Sequence, residues 1–296
     1  MAIKIYADAV SNLFKNIIIN KGLDIKVMTL HLRIDDKEYL CYEDNIDIEE
    51  FSKTYYELMK EGKDVKTSLV SPGDYEKAFL EEAEKGNKVI CFTMAKGISG
   101  TYNSACLARD SVNEAKKEKV VEVIDCMTAG FGEGLQAIHA FELVKEGHSF
   151  EDIIKECEDF KYYVRSDFTV DDIKFLLKTG RVSRALARFM NLLNIKILLK
   201  RSTESKIAFA GSAIGKKNSI KQLSKIVLDQ IDLGKKQTVY ITHCNCLEDA
   251  ETLKNYLVNG GVKDIEIYFY DLISGAHIGP GSLACFYVAK ESDKKG

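Results

Sequence analysis

At 296 residues the chain exceeds the usual span of one hydrophobic core, so two α/β domains are expected rather than one. A hydrophobic share of 46%, a charged share of 29% and only two prolines exclude a chain dominated by disorder or long linkers. The net charge of -3 excludes a globally basic nucleic-acid binder and leaves any anion site to local residues.

The pattern opens with the apolar run IKIYAD (3–8), which reads as a strand, and the amphipathic SNLFKNIIINKG. The strand-like DIKVMTLHLRID and the helical IDIEEFSKTYYELMKEG follow. Next come SPGDYEKAFLEEAEKG, with Ser71 as cap and Pro72 at the first helical position, and the strand KVICFTMA (88–95). A helix from about Ser99 to Glu118 and the strand VVEVID (120–125) continue the series. This is the βαβα rhythm of a parallel sheet covered on both faces. Ser149-Phe150-Glu151-Asp152 reads as a capping box opening a helix that ends near Phe160. Beyond it the strands are longer and more β-branched: KYYVRSDF, IKILLK (195–200), SKIAFAGSA, QTVYITHC, DIEIYFYDLI and SLACFYVA, with two helical stretches among them. The expected architecture is an N-terminal parallel-sheet α/β/α domain (residues 1–160) and a C-terminal mixed-sheet α/β domain (residues 161–296), with a cleft between them.

The opening MAIKIYAD lacks the succession of a secretory signal, and no apolar window is long enough to span a bilayer. A cytoplasmic, not membrane-spanning chain is expected. Eight cysteines are scattered through apolar patterns with no C-x-x-C pair, so they read as reduced small hydrophobes. His243-Cys244-Asn245-Cys246 has no second cluster at zinc-site spacing, and no metal is expected.

Ligands in open parallel sheets bind beyond the carboxyl ends of the strands, where Asp8, Thr67-Ser68, the 97–101 loop, Asp125, His243 and the 276–281 segment fall. Ala95 to Tyr102 is a small-residue loop between a strand and a helix, suited to an anion on free N–H groups and equally to plain capping. It is neither a nucleophile elbow nor a P-loop, since Thr101 stands where the elbow needs glycine and no G-K-[ST] follows. The Thr67 and Ser68 hydroxyls offer uncharged donors to a carboxylate, against the ordinary reading of a threonine-favouring strand end. His277 sits among Gly275, Gly279, Pro280 and Gly281 on what reads as a stiff loop: a hydrogen-bond donor to an acid, or a structural histidine. Between Asp172 and Glu204 there is no acidic residue, while Lys174, Lys178, Arg181, Arg184, Arg188, Lys196, Lys200 and Arg201 are all basic. In a helix Arg181, Arg184 and Arg188 would share one side, as a positive face or as a merely solvated one.

Taken in order, these segments resemble the DegV family. The similarity spans the strand ending at Asp8, Thr67-Ser68 with Ser71-Pro72, and Ser99-Gly100-Thr101-Tyr102 with Ser104-Ala105. It continues through the strand ending at Asp125, the stretch from Phe168 to Ser183, and His277 with Gly279-Pro280-Gly281. Ala7-Asp8-Ala9, Leu69-Val70 and Lys196-Ile197 depart from the family's usual Thr-Asp-Ser, glutamine-proline and lysine-proline. The resemblance implies a two-domain α/β fold holding a long-chain fatty acid, with no other cofactor, and service as the lipid-binding, non-catalytic subunit of a bacterial fatty acid kinase. It assigns Thr67, Ser68, Ser99, Gly100, Thr101 and His277 to the carboxylate, and Arg181, Arg184 and Arg188 to the kinase partner. The alternative from another class is a small-molecule kinase or phosphatase-like enzyme using the same anion site, because helix N-termini suit phosphate as well. A nucleic-acid binder using the basic segment is disfavoured by the overall charge and the lack of interleaved aromatics there.

Overall fold

The computed structural model describes residues 2–41, 47–189 and 194–294, with residues 187–189 described by their backbone alone. In chain order the first elements are β1 (Ile3–Asp8), α1 (Lys15–Lys21), β2 (Ile25–Met28), β3 (His31–Ile34), β4 (Lys37–Leu40), α2 (Ile48–Lys60) and β5 (Val65–Thr67). Then come α3 (Pro72–Glu84), β6 (Lys88–Thr93), α4 (Thr101–Lys116), β7 (Val121–Asp125), α5 (Phe131–Lys145) and α6 (Phe150–Phe160). They continue as β8 (Val164–Val170), α7 (Lys174–Thr179), β9 (Ile195–Arg201), β10 (Ile207–Ile214), α8 (Lys216–Gln230) and β11 (Val239–His243). The last are α9 (Leu247–Asn259), β12 (Ile265–Phe269), α10 (Leu272–Ile278) and β13 (Leu283–Val288).

Among the described residues these strands form three sheets. The first is parallel throughout, in the order β2-β1-β6-β7. The second runs β10-β9-β8-β13-β11-β12, antiparallel except for the β11–β12 pair. The mixed α/β class and the parallel-then-mixed order agree with the periodicity. Ser71 and Ser149 accept the Asp74 and Asp152 N–H groups and start α3 and α6 as their sequences predict.

Two expectations need correction. DIKVMTLHLRID is not one strand: it splits into β2 of the parallel sheet and β3 of a small antiparallel sheet, β4-β3-β5. Asp35, in the left-handed region at φ 50°, turns β3 back into β4, and no glycine marks that turn. The second correction concerns His277, which lies in the last turn of α10 and not on a loop.

One apolar core joins the parallel sheet, its helices and one face of the mixed sheet. A second core fills the space between the other face of the mixed sheet and α8 and α9. Phe131 of α5 stacks on Tyr240 of β11 at 3.8 Å, so the mixed sheet is covered on both faces, once by its own helices and once by the N-terminal half.

Candidate functional site

The loops after β6 and β7 are held by buried carboxyls. Asp8, at the end of β1, accepts the Val10 and Met94 N–H groups at 2.9 and 3.0 Å. Asp125, at the end of β7, accepts those of Lys96 and Met127 at 3.2 and 3.0 Å, and the Ser205 hydroxyl at 2.6 Å. Ser205 belongs to the β9–β10 turn, so that hydrogen bond ties the mixed sheet to the parallel one. Gly97 makes the approach possible, because a Cβ there would stand 2.2 Å from the Ser205 carbonyl oxygen. Nothing in the sequence marks Ser205 as the partner of Asp125, 80 positions away.

Between these pinned loops and the face of the mixed sheet lies a cavity of about 170 Å³. Leu30, Met94, Ile98 and Met127 line it from the N-terminal half; Phe168, Leu176, Ile207 and Ile273 line it from the C-terminal half. Its wall is mostly apolar, as an acyl chain requires.

At one place polar groups converge. Thr67 Oγ1 stands 3.1 Å from His277 Nε2, joining the end of β5 to the end of α10 across 210 positions. Thr67 is placed by the pairing of β5 with β3, where it faces Leu32. Burial, reinforced by the charge of Arg181, pushes the His277 pKa down to about 4. The ring is therefore neutral at physiological pH, and its Nδ1 is buried without a partner among the described residues. With the proton on Nε2, His277 donates to Thr67 and leaves the threonine hydroxyl proton for a ligand.

The remaining sequence candidates divide. Ser99 and Gly100 line the same cavity. Ser99 Oγ accepts the Thr101 N–H at 3.2 Å and lies 3.0 Å from the Thr101 hydroxyl. Thr101 itself is fully buried, so its hydroxyl positions Ser99. Ser68 lines the mouth, but its hydroxyl bonds the His31 backbone, accepting its N–H at 3.0 Å and donating to its carbonyl at 3.3 Å.

The basic segment does not form the helical face that its spacing predicts. α7 stops at Thr179 with Gly180 as a left-handed C-cap, and a separate 3₁₀ turn covers Arg184–Phe189. Arg181 falls between them, lines the cavity and donates to the Thr179 carbonyl. Arg184 is exposed, and the Arg188 side chain lies outside the described residues. Lys178 pairs with Asp64 at 3.4 Å and Lys196 with Asp171 at 2.7 Å. Arg201 is buried, bonded to Asp293 at 3.0 Å and to the Val164 carbonyl.

The family described as "Uncharacterised protein, DegV family" matches residues 2–290. The chain belongs to the DegV family. A DegV domain-containing protein of Clostridium perfringens is 33% identical over 285 residues, 96% of each chain. The fatty acid binding DegV family protein of Streptococcus agalactiae shares the fold with a TM-score of 0.84 at 24% identity, covering 98% of this chain and 100% of its own. The fatty acid kinase (Fak) B3 protein of Streptococcus pneumoniae, solved loaded with linoleic acid, has a TM-score of 0.80 at 22% identity, over 97% and 99% of the two chains. No helix among the described residues of this DegV protein is long and apolar enough to cross a membrane.

Proposed function

We propose that this DegV protein holds one long-chain fatty acid in the cavity and presents its carboxylate to a partner kinase for acyl-phosphate formation. The observation that carries the reading is the junction of a mostly apolar cavity with the uncharged Thr67–His277 pair. The DegV relatives of known structure that bind fatty acids support it. The carboxylate would take its hydrogen bonds from Thr67, Ser99 and the Gly100 N–H, with His277 behind Thr67 and Thr101 behind Ser99. Ser68 belongs to the rim, where its hydroxyl holds β3 to β5. A division of the chain near residue 160 goes with this reading, the acid lying between the two units.

The energetics are consistent with a carrier. Burying about ten methylenes at roughly 0.8 kcal/mol each contributes about 8 kcal/mol, the scale of micromolar binding before losses. The head group then needs orientation more than affinity. A direct arginine–carboxylate fork would hold the anion harder, whereas neutral donors leave an oxygen free to attack the phosphoryl group brought by the kinase. Arg181 at the cavity mouth and the exposed Arg184 are the groups proposed to meet that partner; Arg188 is the third by sequence.

The test is mass spectrometry of an organic extract of the purified chain, expected to yield one fatty acid per chain. An extract without fatty acid, together with no uptake of added palmitate or oleate by the delipidated protein, overturns the reading. Saturable ATP binding by the chain alone would instead favour a small-molecule kinase.

A further inference from the structure

Resting on the fatty-acid reading of the same cavity, we infer that the preferred ligand carries a hydroxyl group part-way along its chain, met by Tyr270 and Ser166. The helix beside the cavity gives the first reason. Ile273, Ser274, His277 and Ile278 form one face of α10, and Tyr270 stands just before its N-cap, Asp271; all five line the cavity. His277, beside Thr67, marks the head-group end. Ser274 lies three residues back, about 4.5 Å along the helix axis, and Tyr270 lies four residues further still, well beyond the carboxylate's reach.

An apolar tail would be served by apolar side chains at those positions, and the protein has placed hydroxyls there. The Ser274 hydroxyl is buried beside the Asp271 carboxylate and has no other partner among the described residues. Tyr270 is 4% exposed and Ser166 is 5% exposed, and neither hydroxyl forms a hydrogen bond among the described residues. Burial pushes the Tyr270 pKa up, so its phenol remains a donor. Ser166, on β8, faces Phe286 of β13 across the sheet, and the Phe286 ring lies 6.0 Å from that of Tyr270. Phe286 thus brings the strand hydroxyl and the tyrosine hydroxyl to one region of the cavity wall.

The Tyr270 and Ser166 hydroxyls open onto a mostly apolar wall without a protein partner among the described residues, and unpaired hydroxyls facing a ligand point to a polar group on that ligand. A ligand hydroxyl fits this set better than a keto group does, because it donates to serine while accepting from tyrosine. The inferred ligand class is the mid-chain monohydroxy long-chain acids, bound with the carboxylate at Thr67 and His277.

The test compares stearic acid with its mid-chain monohydroxy derivatives by calorimetric titration of delipidated full-length protein. The native chain should bind at least one hydroxy acid about fivefold more tightly than stearic acid, the size of one net hydrogen bond. Tyr270→Phe, which removes only the phenolic oxygen, and Ser166→Ala should each bring that ratio to one or below, with thermal melts reporting the fold. A native preference for stearic acid, or a ratio unmoved by both variants, overturns the inference and leaves these hydroxyls to ordered water. If neither class of acid binds, the fatty-acid reading itself fails, and this inference with it.

Discussion

The interior around the cavity and the part of the basic segment that faces solvent handle charge in opposite ways. Inside, burial removes charge from groups that carry it in water. His277, on the wall, has its pKa pushed down to about 4, and Glu133, in the core beside Asp8, is pushed toward its protonated form by complete burial and that neighbour. Outside, charge survives and is compensated by partners distant in sequence, as Asp64 does for Lys178 and Asp171 for Lys196. The proposed carrier would gain from the contrast: a mostly apolar wall suits an acyl chain, and a compensated exterior confines steering charge to the cations without a carboxylate partner among the described residues.

The largest effect should come from breaking the interior arrangement at its polar junction. Thr67→Val or His277→Ala removes a donor from a buried acid and should cost about 1 to 3 kcal/mol, or roughly fivefold to over a hundredfold in fatty-acid affinity. Titration of each delipidated variant checks this, with the methyl ester of the same acid as control. The ester lacks the charge and should bind the native protein weakly, losing little more in either variant. Equal native binding of acid and ester would place the carboxylate elsewhere.

Much of this contrast was legible in the sequence only on its interior side. Thr67 and Ser99 fall near element ends whose limits could be read from apolar runs and caps, and the structure brings both to one cavity with His277. The contact of Thr67 with His277 could not be read, because no local pattern records a pairing 210 positions apart. α10 was hidden for a different reason. Its glycines suggest a loop, yet Gly275 lies within the helix because a Cβ there would come 2.1 Å from the Tyr56 phenol oxygen. On the exterior, a stretch without acids looks unbalanced only while its partners are out of view. Asp171 lies just outside the segment and Asp64 in the distant connection between α2 and β5, so the apparent positive face shrinks in three dimensions.

The second effect sharpens the exterior half. Joint charge reversal, Arg181→Glu with Arg184→Glu, should slow partner-dependent acyl-phosphate formation about tenfold at low salt, the lower end of electrostatic steering. Because most neighbouring lysines are already compensated, added salt should reduce native turnover only modestly. Arg184→Glu alone separates steering from cavity effects, since Arg181 also lines the cavity and lowers the His277 pKa. Unchanged turnover in the double variant would leave the segment without a partner role.

A third effect tests whether burial neutralises acids as well as histidine. Asp8 has its pKa raised to about 6 and Glu133 is raised well above the ordinary carboxylate range, both chiefly by burial. A raised folded-state pKa means that the native chain binds more protons than the unfolded one. The associated stability is complete below the unfolded value and is lost as pH rises through the folded one. Glu133→Gln keeps an acceptor for the Asp8 N–H, which bonds Glu133 at 2.8 Å, and cannot ionise. Its melting temperature should match that of the native protein near pH 4 and exceed it by a few degrees at pH 8, a difference worth about 1 kcal/mol or more. A variant melting below the native chain across this range would mean that a charged Glu133 is stabilising.

The smallest effect belongs to the exposed pairs, and it bounds how much the exterior compensation contributes to the fold. Lys178 and Asp64 meet at 3.4 Å with side chains 73% and 48% exposed. The attraction is screened by water and salt and opposed by the entropy of ordering a lysine, so such pairs contribute little to the fold. Asp64 also accepts from Lys66 at 3.2 Å, which leaves each pair partly replaceable by the other. Asp64→Asn should therefore leave the denaturant midpoint almost unmoved and fatty-acid affinity unchanged. What it should change is the surface field, because the variant frees the positive charge of Lys178 close to Arg181. Partner-dependent turnover should rise slightly at low salt and return to the native value at high salt. A fall in turnover, or a clear drop in the denaturant midpoint, would show that the exterior acids hold the segment in place rather than balance its charge.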